Sequence, residues 1–237
     1  MTHVAPTSPK PHRPSRLSRL LALALTLTTF TAHAAQPPSP PPAKVTQLFD
    51  GKTLTGWTPT PFGGKGEVTV KDGVITLETG YMTGVNWTNA FPTSNFELSL
   101  EAKRTDGNDF FCGLTFPVRD SHATLIVGGW GGALVGISSV NGADASENET
   151  TKFQRFEKDR FYKIRLRVED KQIQAWINDE QIINLDTSDK KLSLRPGDTE
   201  LCKPMGIATW NTGAALKNIE LRTFPTPSKP STPAPTK

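Results

Sequence analysis

Tyr162-Lys163-Ile164-Arg165-Leu166-Arg167-Val168 alternates apolar and basic residues without a break. Side chains on a strand point to opposite faces in turn, so this stretch reads as a strand with one buried and one wet face. The same period of two returns in residues 96–104, where Phe96, Leu98, Leu100 and Ala102 oppose Glu97, Ser99, Glu101 and Lys103. Residues 67–71 and 74–78 flank Asp72-Gly73, a strong hairpin signal, because both turn positions need positive φ. Residues 172–177 and 181–185 form a second predicted hairpin across Asn178-Asp179. Residues 110–118, 124–127, 133–140, 205–210 and 215–224 complete the predicted strands.

No stretch between them reads as a long helix. About a dozen short strands with polar loops predict an all-β fold of two packed antiparallel sheets. The expected architecture is a concanavalin A/laminin-G-like β-sandwich jelly roll. There are too many strands for a five-stranded barrel.

The ends of the chain have a different composition. Lys10, Arg13, Arg16 and Arg19 precede an apolar run over residues 20–30, and Ala32-His33-Ala34 places small residues as at a cleavage site. Residues 1–35 therefore read as a signal peptide. The run is too short to span a bilayer, and no other run is long enough, so no membrane span is expected. No Cys follows the cleavage site to carry a lipid anchor. The expectation is an exported protein, periplasmic or extracellular. Residues 36–43 read as a Pro-rich linker. Residues 225–237 alternate Pro, Ser, Thr and Lys and read as a disordered tail. Residues 44–224 remain as one domain.

Six of the 27 basic residues lie outside residues 44–224, leaving 21 inside against all 23 acidic ones. The domain is thus slightly acidic despite the chain's formal charge of +4. A nucleic-acid partner has no basic footprint here. The cysteines are Cys112 and Cys202; an oxidising compartment would let them pair, while a buried free thiol is the plainer reading of Cys112.

Few chemistries are open to this composition. His122 is the sole histidine after the leader, so a four-ligand zinc site of His and Cys is excluded. It falls in a predicted loop, 119–122, as a solvated side chain or a general acid or base. No nucleophile-elbow pattern exists. In Gly128-Gly129-Trp130-Gly131-Gly132 the glycines leave the indole little cover. Trp130 reads either as a platform for a sugar ring or as a residue packed over a sheet end. Trp87 is a second platform candidate. Trp57, Trp176 and Trp210 read as packing residues. The loop 141–150 gathers Asp144, Glu147, Glu149, Asn141 and Asn148. Such oxygen density suits a solvated loop, a Ca²⁺ site without EF-hand spacing, or hydrogen bonds to sugar hydroxyls. Asp109 ends a turn before a strand and could act over the sheet rim, and Glu101 lies on a polar strand face. Lys163, Arg165 and Arg167 make a basic stripe.

One resemblance sharpens these readings. Leu48-Phe49-Asp50-Gly51-Lys52-Thr53-Leu54-Thr55-Gly56-Trp57 resembles the opening of the DUF1080 family, the 3-keto-disaccharide hydrolase (3-keto-glycoside lyase/hydratase) domains. Lys217-Asn218-Ile219-Glu220-Leu221-Arg222 is similar to that family's closing strand. The resemblance implies the same sandwich, with a curved sheet whose concave outer face holds a carbohydrate. It implies cleavage of glycosides already oxidised at C3. The ketone acidifies the C2 proton, a base removes it, and the glycosidic oxygen leaves; water then adds to the glycal. Such chemistry needs a base, an acid and something to hold enediolate charge. A divalent cation, Ca²⁺ or Mn²⁺, is one way to hold it; no other cofactor is indicated. Between its ends the chain diverges: Cys112 stands where the family shows Ser, and an Arg, a Glu and a Gln of the family are absent. Glu101 matches an acidic position. The candidate catalytic residues are therefore Glu101, Asp109, Glu149 and His122, and the candidate substrate-binding residues are Trp130, Trp87 and Asn148. The alternatives are a non-catalytic carbohydrate-binding module of laminin-G or lectin type, or an interaction domain of the cell envelope.

Overall fold

The computed structural model describes residues 43–225. The predicted signal peptide, most of the linker and most of the tail lie outside the described residues. The strands are β1 (Lys44–Gln47), β2 (Trp57–Pro59), β3 (Val68–Lys71), β4 (Val74–Leu77), β5 (Met82–Trp87), β6 (Phe96–Gly107), β7 (Cys112–Val118) and β8 (Ser121–Gly128). They continue with β9 (Leu134–Ser138), β10 (Lys152–Phe153), β11 (Tyr162–Glu169), β12 (Gln172–Ile177), β13 (Glu180–Asp186), β14 (Gly206–Trp210) and β15 (Thr212–Thr223).

Two antiparallel sheets result, as the alternation predicts. The eight-stranded sheet runs β13-β12-β11-β6-β15-β4-β3, with β1 added along β15. The seven-stranded sheet runs β10-β9-β8-β7-β14-β5-β2. The inner faces meet through the rows that the sequence marks as apolar. Phe96, Leu98, Leu100 and Ala102 of β6 and Ile164, Leu166 and Val168 of β11 pack with Leu114 and Phe116 of β7 and Leu125 and Val127 of β8. Burying these side chains supplies the main driving force of the fold, of the order of 2 kcal/mol each.

The hairpins close as their turn chemistry requires. Asp72 and Gly73 take φ of 53° and 79°, and Asn178 takes 54°. Two members of the basic stripe are paired where they stand. Arg165 pairs with Glu97 at 3.1 Å and stacks over Trp176 at 3.8 Å, and Arg167 pairs with Glu169 at 2.8 Å.

Both cysteines are free. Cys112 faces the inter-sheet core, whereas Cys202 belongs to a second cluster with Phe62, Met82, Phe110, Ile126, Leu134, Ala145 and Ala208. The sheet itself separates the two thiols. Burial pushes each up to about 12, which keeps them protonated and inert.

That second cluster is the key to the functional face. Thr124 and Ile126 alternate with Ala123, Leu125 and Val127, so they project from the seven-stranded sheet away from the core. Loops fold down onto this outer face. Gly136 permits it at one point, since a Cβ there would meet the Ala145 carbonyl oxygen at 2.8 Å.

Candidate functional site

Where the covering loops fail to meet, a cavity of about 260 Å³ opens on the outer face of the seven-stranded sheet. Its walls include Tyr81, Trp130 and Trp210, with Asp144, Arg195 and Asp198 among its polar groups. Tyr81 and Trp210 pack ring on ring, with centroids 4.7 Å apart, at the joined ends of β5 and β14. Trp130 is 43% exposed, which is unusual for an indole and leaves a face free.

Trp130 is held by its backbone. It adopts φ of 48° within a one-turn coil at Gly129–Gly132. Its N–H donates to Asp109 Oδ1 at 3.2 Å, and the Phe110 N–H donates to the same oxygen at 2.7 Å. Asp109 thus fastens the turn that presents the indole. The Arg195 guanidinium lies 5.9 Å from the Trp130 ring centroid, within cation–π range.

Asp144 and Asp198 differ in freedom. Asp144 Oδ2 receives Arg195 Nη1 at 2.9 Å, while Oδ1 accepts from the Ala145 N–H at 2.7 Å and from the Ser138 hydroxyl. Asp198 opens a 3-10 turn, Asp198–Cys202, and forms no ion pair among the described residues. Its carboxylate is exposed and borders the cavity.

The seven residues singled out from sequence do not converge. Trp130 lines the cavity, and Asp109 lies directly behind it. Glu101 is elsewhere, on the outer face of the eight-stranded sheet, where it accepts from Asn218 Nδ2 at 2.6 Å and pairs with Lys217 at 3.4 Å. Glu149 pairs with Lys190 at 3.0 Å; its own backbone N–H and that ammonium hold its carboxyl below the usual range. Trp87 packs edge-on against Trp57 with centroids 5.3 Å apart, beside Gly56. Asn148 spends its amide on the loop. It donates to the carbonyls of Ile137, Ala143 and Asp144 and accepts from the N–H and hydroxyl of Thr150.

His122 is in a strand rather than the predicted loop. It belongs to β8, paired with Pro117, and shares the outer face with Thr124. Partial burial, then the nearby Lys203 charge, holds it below its ordinary value, with Glu200 acting the other way. The unfolded chain therefore takes up this proton first as pH falls. The stability His122 contributes is present in full above its ordinary value of 6.5 and is lost as pH falls toward the lowered folded value. A wild-type urea midpoint falling between about pH 7 and about pH 5, with a shallower fall in His122→Gln, is the expected result. Equal slopes in the two proteins would count against it.

The acidic loop does not fit a divalent cation. Its best oxygen donors are taken by Arg195, Lys190 and backbone N–H groups, and among the described residues no three His, Cys, Asp or Glu side chains converge as a metal shell. Tyr81, Arg195 and Asp198 carry no sequence signal for a site, and Trp210, expected to pack, also lines the cavity. Arg195-Pro196-Gly197-Asp198 carries only the signal of a turn.

The domain described as 3-keto-alpha-glucoside-1,2-lyase-like matches residues 44–222. No curated protein matches the chain. Among solved structures, a Parabacteroides distasonis ATCC 8503 protein provisionally classed as a glycosyl hydrolase superposes with a TM-score of 0.52 at 14% identity, covering 76% of this chain and 94% of that one. Domain 4 of AbnA, an extracellular arabinanase from Geobacillus stearothermophilus solved with arabinotriose, gives 0.51 at 12% identity, with coverages of 78% and 94%. The Crh5 transglycosylase bound to NAG gives 0.51 at 12%, with coverages of 79% and 86%. At these identities the likeness establishes the shared β-sandwich.

Proposed function

Since the chain belongs to the 3-keto-alpha-glucoside-1,2-lyase-like domain family, we propose that it is an exported enzyme cleaving 3-keto-glycosides or 3-keto-disaccharides in the cavity beside Trp130. The observation that carries the reading is the meeting of four aromatic rings, an arginine and a free carboxylate in one cavity. Aromatic faces suit the C–H faces of a sugar ring. The polar groups then address its oxygens.

The chemistry assigns itself by charge and freedom. Asp198 is the side chain free to take the C2 proton. Arg195, oriented by Asp144 at 2.9 Å, places a guanidinium where enediolate charge develops. Tyr81, with an exposed ring bordering the cavity, is the phenol available to hand a proton to the departing glycosidic oxygen. Electrons move from the C2–H bond into the enediolate and then out through the C1–O bond. Water completes the sequence by adding to the glycal.

One observation favours the second reading, a carbohydrate-binding module. Asp144 is fully engaged, so the cavity holds a single free carboxylate rather than an acid–base pair. The purified protein incubated with a panel of 3-keto-disaccharides decides between them, the ketone being followed by its absorbance in alkali. Turnover supports the enzyme. Saturable binding of the unoxidised glycan without turnover sinks it in favour of the module.

A further inference from the structure

The cavity beside Trp130 changes in polarity from mouth to floor. Its floor is the outer face of the seven-stranded sheet, lined by Met82 of β5, Thr124 and Ile126 of β8, and Phe110 just before β7. All four are buried, and Phe110 and Ile126 keep 8% and 4% of their surface accessible. Ile126 lies against the turn that presents Trp130, since a Cβ on Gly129 would meet its Cγ2 at 2.8 Å. Half-buried Trp210 packs on the same apolar cluster. The hydroxyls of Thr124, Ser138 and Thr199 also line the cavity, and each is already bonded within the protein. Thr124 Oγ1 shares a hydrogen bond with Thr115 Oγ1 at 2.9 Å, Ser138 donates to Asp144, and Thr199 donates to the Arg195 carbonyl at 2.6 Å. The groups with freedom to meet a ligand are the Tyr81 hydroxyl, the remaining N–H groups of Arg195 and the Asp198 carboxylate. All three belong to exposed residues, at the mouth.

We propose that this cavity selects a 6-deoxy sugar, whose methyl group stands where an ordinary hexose carries its C6 hydroxymethyl. The inference rests on the carbohydrate reading of the cavity and narrows its substrate. The reacting atoms are C2 and the C3 ketone, and the groups that can address them are at the mouth. C5 lies across the six-membered ring from C2. Holding C2 against Asp198 and the ketone oxygen toward Arg195 therefore turns C5 and its substituent to the floor. A methyl there meets the side chains of Ile126 and Phe110 and leaves water for an apolar surface, which favours binding. A hydroxymethyl there also leaves water but meets only apolar groups and hydroxyls already bonded within the protein, which opposes binding. The volume of about 260 Å³ lies below the roughly 300–1,000 Å³ of sites for drug-sized ligands, so a single ring fills it. The glycosidic oxygen on C1, next to C2, stays at the mouth, and the rest of the glycoside extends into solvent. The residue taken is thus a terminal one.

The test compares matched pairs of sugars on the purified full chain. Steady-state kinetics is run on methyl 3-keto-6-deoxyglucoside against methyl 3-keto-glucoside. Calorimetric titration is run on the unoxidised methyl 6-deoxyglucoside against methyl glucoside. The 6-deoxy member is expected to be favoured about 10- to 100-fold in kcat/KM and in Kd, the discrimination an apolar pocket achieves over one hydroxyl. Ile126→Thr sets a hydroxyl on the floor while keeping the branched shape, and should cut the preference to within a few-fold. The urea midpoint reports whether that variant is folded, and the wild-type comparison decides without it if it is not. Equal treatment of the two sugars, a preference for the 6-hydroxyl, or an unchanged preference in the folded variant each overturns the proposal, as does the absence of both binding and turnover. A 6-deoxy preference in binding without turnover would sink only the enzyme reading; turnover without the preference would sink only this one.

Discussion

Asp198→Asn is expected to lower kcat on a 3-keto-disaccharide by about 100- to 10,000-fold, the range lost with a general base. The substitution keeps the side chain's volume and its exposed place at the start of the 3-10 turn. KM and the urea midpoint should therefore change little, and the loss should fall on the chemical step. Asp144→Asn makes the informative contrast. Asp144 holds Arg195 at 2.9 Å and is tied to the Ala145 N–H. Its loss frees the guanidinium, so KM should rise along with a fall in kcat. Steady-state kinetics on both variants checks the assignment. An Asp198→Asn enzyme within a few-fold of wild type would show that the base lies elsewhere.

That Asp198 borders the cavity while remaining inconspicuous in the sequence has a structural cause. The strand rows were legible because burial imposes a period of two, as in Tyr162–Glu169 and Phe96–Gly107. The hairpin at Asp72-Gly73 was legible because positive φ restricts residue choice. β5 was not, although it pairs with β14 inside the seven-stranded sheet. Its outer row carries Gly84, where a Cβ would meet the Ile207 carbonyl oxygen at 2.8 Å, and Asn86, bonded to Thr60 and the Leu201 carbonyl. Covering loops thus replace the expected apolar or solvated pattern with small and polar residues. His122 reads as a loop residue for a related reason: β8 begins earlier than its apolar run.

The site was legible only in part. Trp130 stood out through its glycines, and the 141–150 loop through its oxygens. What joins Trp130 to Asp144, Arg195, Asp198, Tyr81 and Trp210 is long-range packing of strand ends and loops on one face. No local pattern encodes that meeting. The family resemblance pointed to carbohydrate but drew attention to Glu101, on the opposite sheet. There it serves Asn218 and Lys217, cross-strand neighbours on β15.

The largest effect on stability is expected at Phe111, which joins the core to the turn bearing Trp130. Phe111 is fully buried. Its ring meets Phe156 edge-on at 5.2 Å and lies 6.3 Å from Tyr162, and Phe156 and Tyr162 meet each other at 5.0 Å. Gly128 presses on the same ring, for a Cβ there would come within 2.9 Å of it. Phe111→Ala should cost about 3–5 kcal/mol, the transfer energy of the ring plus the cavity left among rigid neighbours. That is a large part of the roughly 5–15 kcal/mol typical of a domain. The urea midpoint measures it, with an unchanged slope if the unfolded state is unaffected. Phe111→Leu should cost clearly less, because much of the volume is kept. The Phe156 carbonyl also accepts from Arg104 Nη2 at 2.7 Å, so the alanine variant should weaken the anchorage of that buried arginine as well. A cost below about 1 kcal/mol would mean that the cluster closes over the gap, against the close packing these ring contacts describe.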